Sequence, residues 1–207
     1  MIFAGYREGW FPMMVNEKTN ETGWFQPKKR CLFPIEGIHV SKSLAKTIRR
    51  NSVEVVGLNI SEETLRSMSS GLMHIRFDTA FQQVIESCRR PDGNWINDDF
   101  IRVYTQIHQQ GWAHCAECWI NEKLVGGVYG IAIGGAFYAE SMFHRETDAS
   151  KVALHALVET CRAKGFVLFD AQIMNPHLRS LGAFEVSNKE YQALLRQALQ
   201  VHTEWSA

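Results

Sequence analysis

Glu140 is the acid whose placement asks for an explanation. It stands beside Ser141 within the second of two apolar bursts in "LVGGVYGIAIGGAFYAESMFHRETDASK", residues 124–151. A carboxylate near the end of a buried strand, just before a helix start, is where a site could sit. A structural carboxylate or a solvent-facing strand position fits the same pattern. Asp170 is a second such acid, alone in the apolar run "FVLFDA" at 166–171 and followed by Gln172. Cys115 and Cys118 have the CxxC spacing of a metal or redox pair, and His114 adds a possible ligand. On a strand, however, that spacing points the two thiols to opposite faces, and no second ligand pair matches it, so no metal site is expected. Lys28, Lys29, Arg30, Lys42, Lys46, Arg49 and Arg50 place seven cations in 23 residues, opposed only by Glu36. Such a patch suits phosphates, which it holds without reading sequence; a solvated helix face is the other reading. Tyr6, Trp10 and Phe11 form either a small apolar cluster or a wall on which a planar base could stack.

The bulk numbers bound these options. A chain of 207 residues fits one ordinary domain, or a main domain with a small appendage. Hydrophobic residues make up 45%, enough for a substantial core. Lys plus Arg and Asp plus Glu both number 22, so no global field attracts nucleic acid and only a local patch can. Five cysteines without dense spacing indicate a reducing compartment. The sequence shows no secretory leader pattern and no membrane-spanning run of about 18 apolar residues, so the expectation is cytoplasmic, without a membrane partner.

The elements that must carry these residues follow from period and punctuation. Ile2 to Arg7 reads as a short helix stopped by Gly9 and Pro12, and 14–22 as polar and turn-like. Short strands are expected near Gly23–Phe25 and Cys31–Phe33. A helix over 39–50, capped by Ser41 or Ser43, collects Lys42, Lys46, Arg49 and Arg50 on one face. A strand at 53–58 and a short helix at 61–70 follow. Helices are predicted over 79–90, capped by Asp78, and over 99–110, capped by Asp98; their stripes are Phe81, Val84, Ile85 and Cys88, and Phe100, Val103, Tyr104 and Ile107. Strands at 113–120, 124–133 and 136–142 make an antiparallel meander. A helix over 149–164, capped by Asp148, leads to the central strand 166–171. A short helix at 176–180, a strand near 183–187 and a helix from Lys189 follow, with a loose tail after His202. The fold class is α/β (α+β), with a mixed sheet. No P-loop, dinucleotide fingerprint or nucleophile elbow is present.

Taken in order, "GYREGWFP", "HVSKSL", "FDTAFQQVIESC", "NWI", "GWAHCAECW", "LVGGVYGIAIGGAFYAESMFHRETDASKVAL", "FDAQIMNPHLRSLGAFEV" and "YQALL" resemble segments of the leucyl/phenylalanyl-tRNA–protein transferases across most of the chain. The resemblance implies a small N-terminal α/β domain (1–60, bearing the basic patch) on a GNAT-like mixed-sheet catalytic domain (61–207). It implies an enzyme that moves Leu or Phe, and less well Met, from aminoacyl-tRNA to proteins beginning with Arg or Lys, marking them for degradation. A monomer is expected. The alternatives are a transferase with altered donor or acceptor choice, or a non-catalytic tRNA-binding module. An aminoacyl ester is already activated, so no cofactor is expected.

The catalytic positions implied by the resemblance are Glu140, Asp170 and Gln172. The side-chain pocket falls on Val128, Phe137, Met142 and Leu157. Aminoacyl-adenosine contacts fall on Tyr6, Trp95 and Asn175, and the tRNA backbone on the seven cations. Asp170, two residues before Gln172, would hold and polarise its amide if the strand continues. Glu140 would fix the substrate amino group or the acceptor's cationic terminus. Phe137 and Met142 share a strand face only if a bulge lies between them, unless Met142 lies past the strand end. Departures from the family pattern gather at the donor end. The N-terminal lead is trimmed, Met13 replaces a Trp, "WWxP" is reduced to Trp24-Phe25-Gln26-Pro27, and 51–75 looks inserted. Cys115 replaces a Ser, and the C-terminal extension is shortened.

Overall fold

The computed structural model describes residues 2–16, 21–51, 72–89 and 96–205. The expected elements at 53–58 and 61–70, and Trp95, lie outside the described residues. In chain order the elements are α1 (Ile2–Arg7), β1 (Phe11–Asn16), β2 (Glu21–Phe25), β3 (Lys29–Phe33), α2 (Lys42–Asn51), β4 (Met73–Phe77), α3 (Phe81–Ser87) and α4 (Asp98–Gln109). They continue with β5 (Ala113–Ile120), β6 (Lys123–Ile133), β7 (Ala136–His144), α5 (Ala149–Ala163), β8 (Leu168–Gln172), α6 (Pro176–Ser180), β9 (Phe184–Ser187) and α7 (Asn188–Ala198). No helix among the described residues is long and apolar enough to cross a membrane.

Seven strands form one mixed sheet in the order β4-β5-β6-β7-β8-β3-β9, and β1 and β2 form a separate hairpin. Every pairing in the large sheet is antiparallel except β7 with β8. The near-continuous apolar runs of β5 and β6 arise because both faces are covered. On β6, Tyr129, Ile131 and Ile133 turn to the layer holding Tyr104, Ile107, Tyr191 and Leu195. Val125, Val128 and Ala132 turn to the layer holding Leu44, Leu154, Leu157 and Phe169. From Val128 onward that alternation is the strand period feeding two cores, while Val125 is out of phase because the register shifts there, Cys118 pairing with Gly126 and Trp119 with Leu124. Cys115 and Cys118 follow it into opposite layers, which fits their opposed facing on a strand.

Several local expectations are corrected. Asp78 does not cap α3; it lies at φ +59, while the buried Glu117 accepts the free N–H groups of Thr79 and Ala80. Asn97, not Asp98, caps α4. Asp148 stands before α5 without a side-chain cap bond and pairs with Lys151 instead. Ser41 does cap α2, accepting from the Leu44 N–H. β1 falls partly on residues read as turn-like. The tail is docked rather than loose through Trp205, whose indole donates to Asp78 (2.7 Å) and stacks on His114. β3, from the expected N-terminal domain, lies within the main sheet between β8 and β9.

Candidate active site

The parallel pair β7–β8 runs from Ala136↔Leu168 to Tyr138↔Asp170 and then stops. Beyond that point the two strands part, and a cleft of about 360 Å³ opens between their ends. Ala139 to Met142 line one side of it and Ala171 to Ile173 the other. Each wall carries a β-bulge. Against β6, Ala139 pairs with Gly130 and Ser141 with Tyr129, so Glu140 is the extra residue. Against β3, Asp170 pairs with Leu32 and Gln172 with Cys31, so Ala171 is the extra one. A bulge bends its strand and re-aims a side chain. Gly130 makes room for the first bulge: a Cβ there would lie 2.2 Å from the Tyr138 carbonyl oxygen. The bulge between Phe137 and Met142 is also what lets both face the same layer.

Glu140 is buried, yet it lines the cleft. Its Oε1 accepts from the Tyr6 hydroxyl (2.8 Å) and from Gln172 Nε2 (2.8 Å). Tyr6 also meets the Tyr104 hydroxyl. Since Tyr6 has one proton and gives it to Glu140, Tyr104 donates to Tyr6, and the three form a chain. Burial raises both phenols well above their ordinary value, so they stay protonated. Among the described residues Glu140 Oε2 has no hydrogen-bond partner. Burial, opposed by the Tyr6 hydrogen bond and reinforced by the Asp170 charge, pushes the Glu140 carboxyl up to about 8. A carboxyl at that value can both give and take a proton near neutral pH.

Asp170 is arranged differently. Arg30 Nε reaches its two oxygens at 2.9 and 3.0 Å, and Nη2 reaches Oδ2 at 2.6 Å. The Tyr191 hydroxyl donates to Oδ2 (2.7 Å), and the Gln172 backbone N–H donates to Oδ1 (2.8 Å). The guanidinium lies between the rings of Phe11 and Tyr191, at 4.5 and 4.4 Å. Asp170 therefore does not hold the Gln172 side-chain amide, as the implied relay requires; it holds the backbone. The bulge ends simple alternation, Gln172 turns to φ +63, and its amide swings to Glu140 instead. Arg30 is likewise not a surface phosphate contact: it is 1% exposed and ion-paired. Strand alternation foreshadows this, since Lys29 faces out and the next residue must face in. Tyr191 and Tyr104 show no sequence signal beyond ordinary helix stripes.

The remaining expected residues sort by depth. Val128 and Met142, register partners, line the cleft's apolar end with Phe33 and Leu154. Phe137 and Leu157 do not line it; Phe137 stacks on Phe169 in the core, and Leu157 lies one turn beyond Leu154. Tyr6 is fully buried beneath the polar end, so it acts on Glu140 and offers no exposed face. Asn175 lines the cleft while its Oδ1 caps α6 through the Leu178 N–H (2.9 Å). Pro12 and Met13 of the β1 hairpin strand line the cleft, with Trp10 exposed just before them and Trp24, the register partner of Pro12, exposed across the hairpin. Lys28, Lys29, Lys42, Lys46 and Arg49 are exposed, and Arg50 lies within α2. A second polar cluster joins Asp78, His108 and His114, with candidate ligand atoms within 4.8 Å of one another. These groups already carry hydrogen bonds: His114 to Asp78 (2.8 Å) and the Gly111 carbonyl (3.1 Å), and His108 to the Ala113 carbonyl (2.7 Å).

Comparisons with known proteins bear on the whole of this architecture. A family model described as leucyl/phenylalanyl-tRNA protein transferase matches residues 53–196. The chain is 41% identical over 201 residues to the leucyl/phenylalanyl-tRNA–protein transferase of Herpetosiphon aurantiacus, covering 97% of this chain and 93% of that one. It is 39% identical over 200 residues to that of Cereibacter sphaeroides, covering 97% and 84%. For that of Chlorobium luteolum the identity is 41% over 206 residues, covering 98% and 95%. The match runs through both strands that open the cleft and the helices behind them, and the chain belongs to the leucyl/phenylalanyl-tRNA–protein transferase family.

Proposed function

We propose that this aminoacyltransferase moves Leu or Phe, and less well Met, from aminoacyl-tRNA to the N-terminal α-amine of proteins beginning with Arg or Lys, marking them for degradation. The observation that carries the reading is Glu140. It is a buried, cleft-lining carboxyl with one oxygen fixed by Tyr6 and Gln172 and the other without a donor among the described residues. An α-amine ordinarily titrates near about 7.7–8.0, and the Glu140 carboxyl at about 8 is matched to exchange a proton with it.

The amine nitrogen attacks the ester carbonyl carbon, and an amine proton passes to the Glu140 carboxylate. As the carbon–oxygen ester bond breaks, that proton is returned to the departing ribose oxygen, leaving an amide and a free hydroxyl. Gln172 is not a base. Its Nε2 is committed to Glu140, which leaves its carbonyl oxygen to accept an N–H of the amine. The donor side chain enters the apolar end beside Val128, Met142, Phe33 and Leu154, where burying it is worth roughly 1.5–3 kcal/mol. Methionine adapts to branched and aromatic shapes alike, so this end separates Leu and Phe from polar side chains better than from each other. The exposed cations of α2, with Lys28 and Lys29, suit the tRNA backbone.

The test is incubation with Leu-, Phe- and Met-charged tRNAs and peptides beginning with Arg, Lys, Asp, Glu or Ala, with product mass as the readout. Transfer of Leu and Phe to the Arg and Lys peptides is expected. No transfer from any pair overturns the proposal.

A further inference from the structure

Arg30 is among the most deeply buried large side chains of the molecule, and it touches the two segments that meet at Glu140. Three of its contacts go to Asp170 on β8. Its remaining Nη1 donates to the Gly9 carbonyl (2.9 Å), just after α1. Asp170 in turn accepts the Gln172 backbone N–H, the bond that closes the turn at φ +63 and directs the Gln172 amide to Glu140. α1 carries Tyr6, the other donor to the same Glu140 oxygen.

We propose that Arg30 is a positioning residue for the transfer: one guanidinium registers Gln172, through Asp170, and Tyr6, through Gly9, against the Glu140 carboxyl. The inference rests on the aminoacyl-transfer reading. A lysine keeps charge but cannot span Asp170 and Gly9 with a planar fork. A glutamine keeps neither the charge nor the reach. Loss of registration by about an ångström costs roughly 100-fold in rate. The Arg30 charge also favours the ionised form of Glu140, so its loss moves the Glu140 titration upward.

The experiment compares wild type, Arg30→Lys, Arg30→Gln and the double variant Arg30→Gln/Asp170→Asn. Single-turnover transfer from Phe-tRNA to an Arg-peptide is followed against pH. In parallel, the side-chain amide signal of Gln172 is followed by NMR, which needs no activity. Arg30→Gln is expected to lose about 100-fold in rate, to shift its pH profile upward, and to move the Gln172 amide signal. Arg30→Lys is expected to restore the pH position but only part of the rate. The double variant removes the buried charges together and so folds without an orphaned ion. It is expected to stay slow with its pH profile near that of wild type. Wild-type rate, profile and Gln172 signal in a folded Arg30→Gln or double variant overturn the inference. A wild-type chain that transfers nothing would count against the function instead, and the Gln172 signal in the variants still decides the role of Arg30.

Discussion

The ends of β7 and β8 carry two buried carboxylates that are neighbours and opposites. Asp170 is saturated: a guanidinium, a phenol and a backbone N–H fill both of its oxygens. Glu140 has two donors on Oε1 and, among the described residues, none on Oε2. A saturated carboxylate holds shape, whereas a buried oxygen without a donor costs stability and asks for an explanation, of which a catalytic role is one. The Asp78–His114–Trp205 cluster resembles the first kind, with its groups bonded to one another. On the proposed reading, the contrast gives scaffold work to Asp170 and chemistry to Glu140.

Breaking the scaffold gives the largest expected effect. Asp170→Ala strands the Arg30 charge in the core and is expected to cost about 3–5 kcal/mol of stability by denaturant unfolding. A loss under about 1 kcal/mol would show that the pair is not the anchor described.

Glu140 should behave in the opposite sense. Its carboxyl lies above its ordinary value of 4.5, so between that value and about 8 the folded chain keeps a proton that the unfolded chain has released. This group therefore lowers stability as pH rises through that window, by on the order of 1 kcal/mol per pH unit, and adds nothing further above it. Glu140→Gln is expected to remove that fall, becoming the more stable protein at the alkaline end in thermal melts. Parallel stability curves for the two would contradict the assignment.

The apolar end sharpens the comparison further, because it binds without reacting. Met142→Ala and Leu154→Ala are each expected to raise KM for the Leu and Phe donors about 10-fold, at the lower end of the roughly 1.5–3 kcal/mol for a buried side chain, with the single-turnover rate at saturating donor unchanged. An equal fall in that rate would place these side chains in the chemistry. The smallest effect belongs to the surface. Replacing Lys42, Lys46 and Arg49 with Ala is expected to flatten the salt dependence of tRNA binding by about one unit of log–log slope per lost phosphate contact. An unchanged slope would show that the face is merely solvated.

Much of the scaffold was legible in the chain, and the working geometry was less so. The β5–β7 meander and α5 announce themselves through continuous apolar runs and the Gly134–Gly135 break, because burial on both faces leaves a local record. Glu140 stood out for the same reason, as an acid where the pattern demands an apolar residue. The bulges left less trace. One was inferred as an alternative from the Phe137–Met142 spacing, but the shift at Ala171 depends on the pairing with β3, some 140 residues away in sequence. That shift is what sends the Gln172 amide to Glu140 and leaves Asp170 to Arg30. The side-chain type of Arg30 groups it with its exposed basic neighbours, while its place on a strand next to the outward-facing Lys29 turns it inward. Trp205 gave no periodic signal at all, since its partners Asp78, His114 and Phe166 come from separate elements.

The most direct test of Glu140 as the reacting carboxyl is single-turnover transfer from Phe-tRNA to an Arg-peptide, between about pH 6 and 9, by wild type and Glu140→Gln. The wild-type rate should rise with a midpoint near the carboxyl value of about 8. Glu140→Gln should be about 100-fold slower or worse, keeping only the rise that the acceptor amine's own titration gives. A Glu140→Gln protein with the wild-type rate and the wild-type profile would contradict the account.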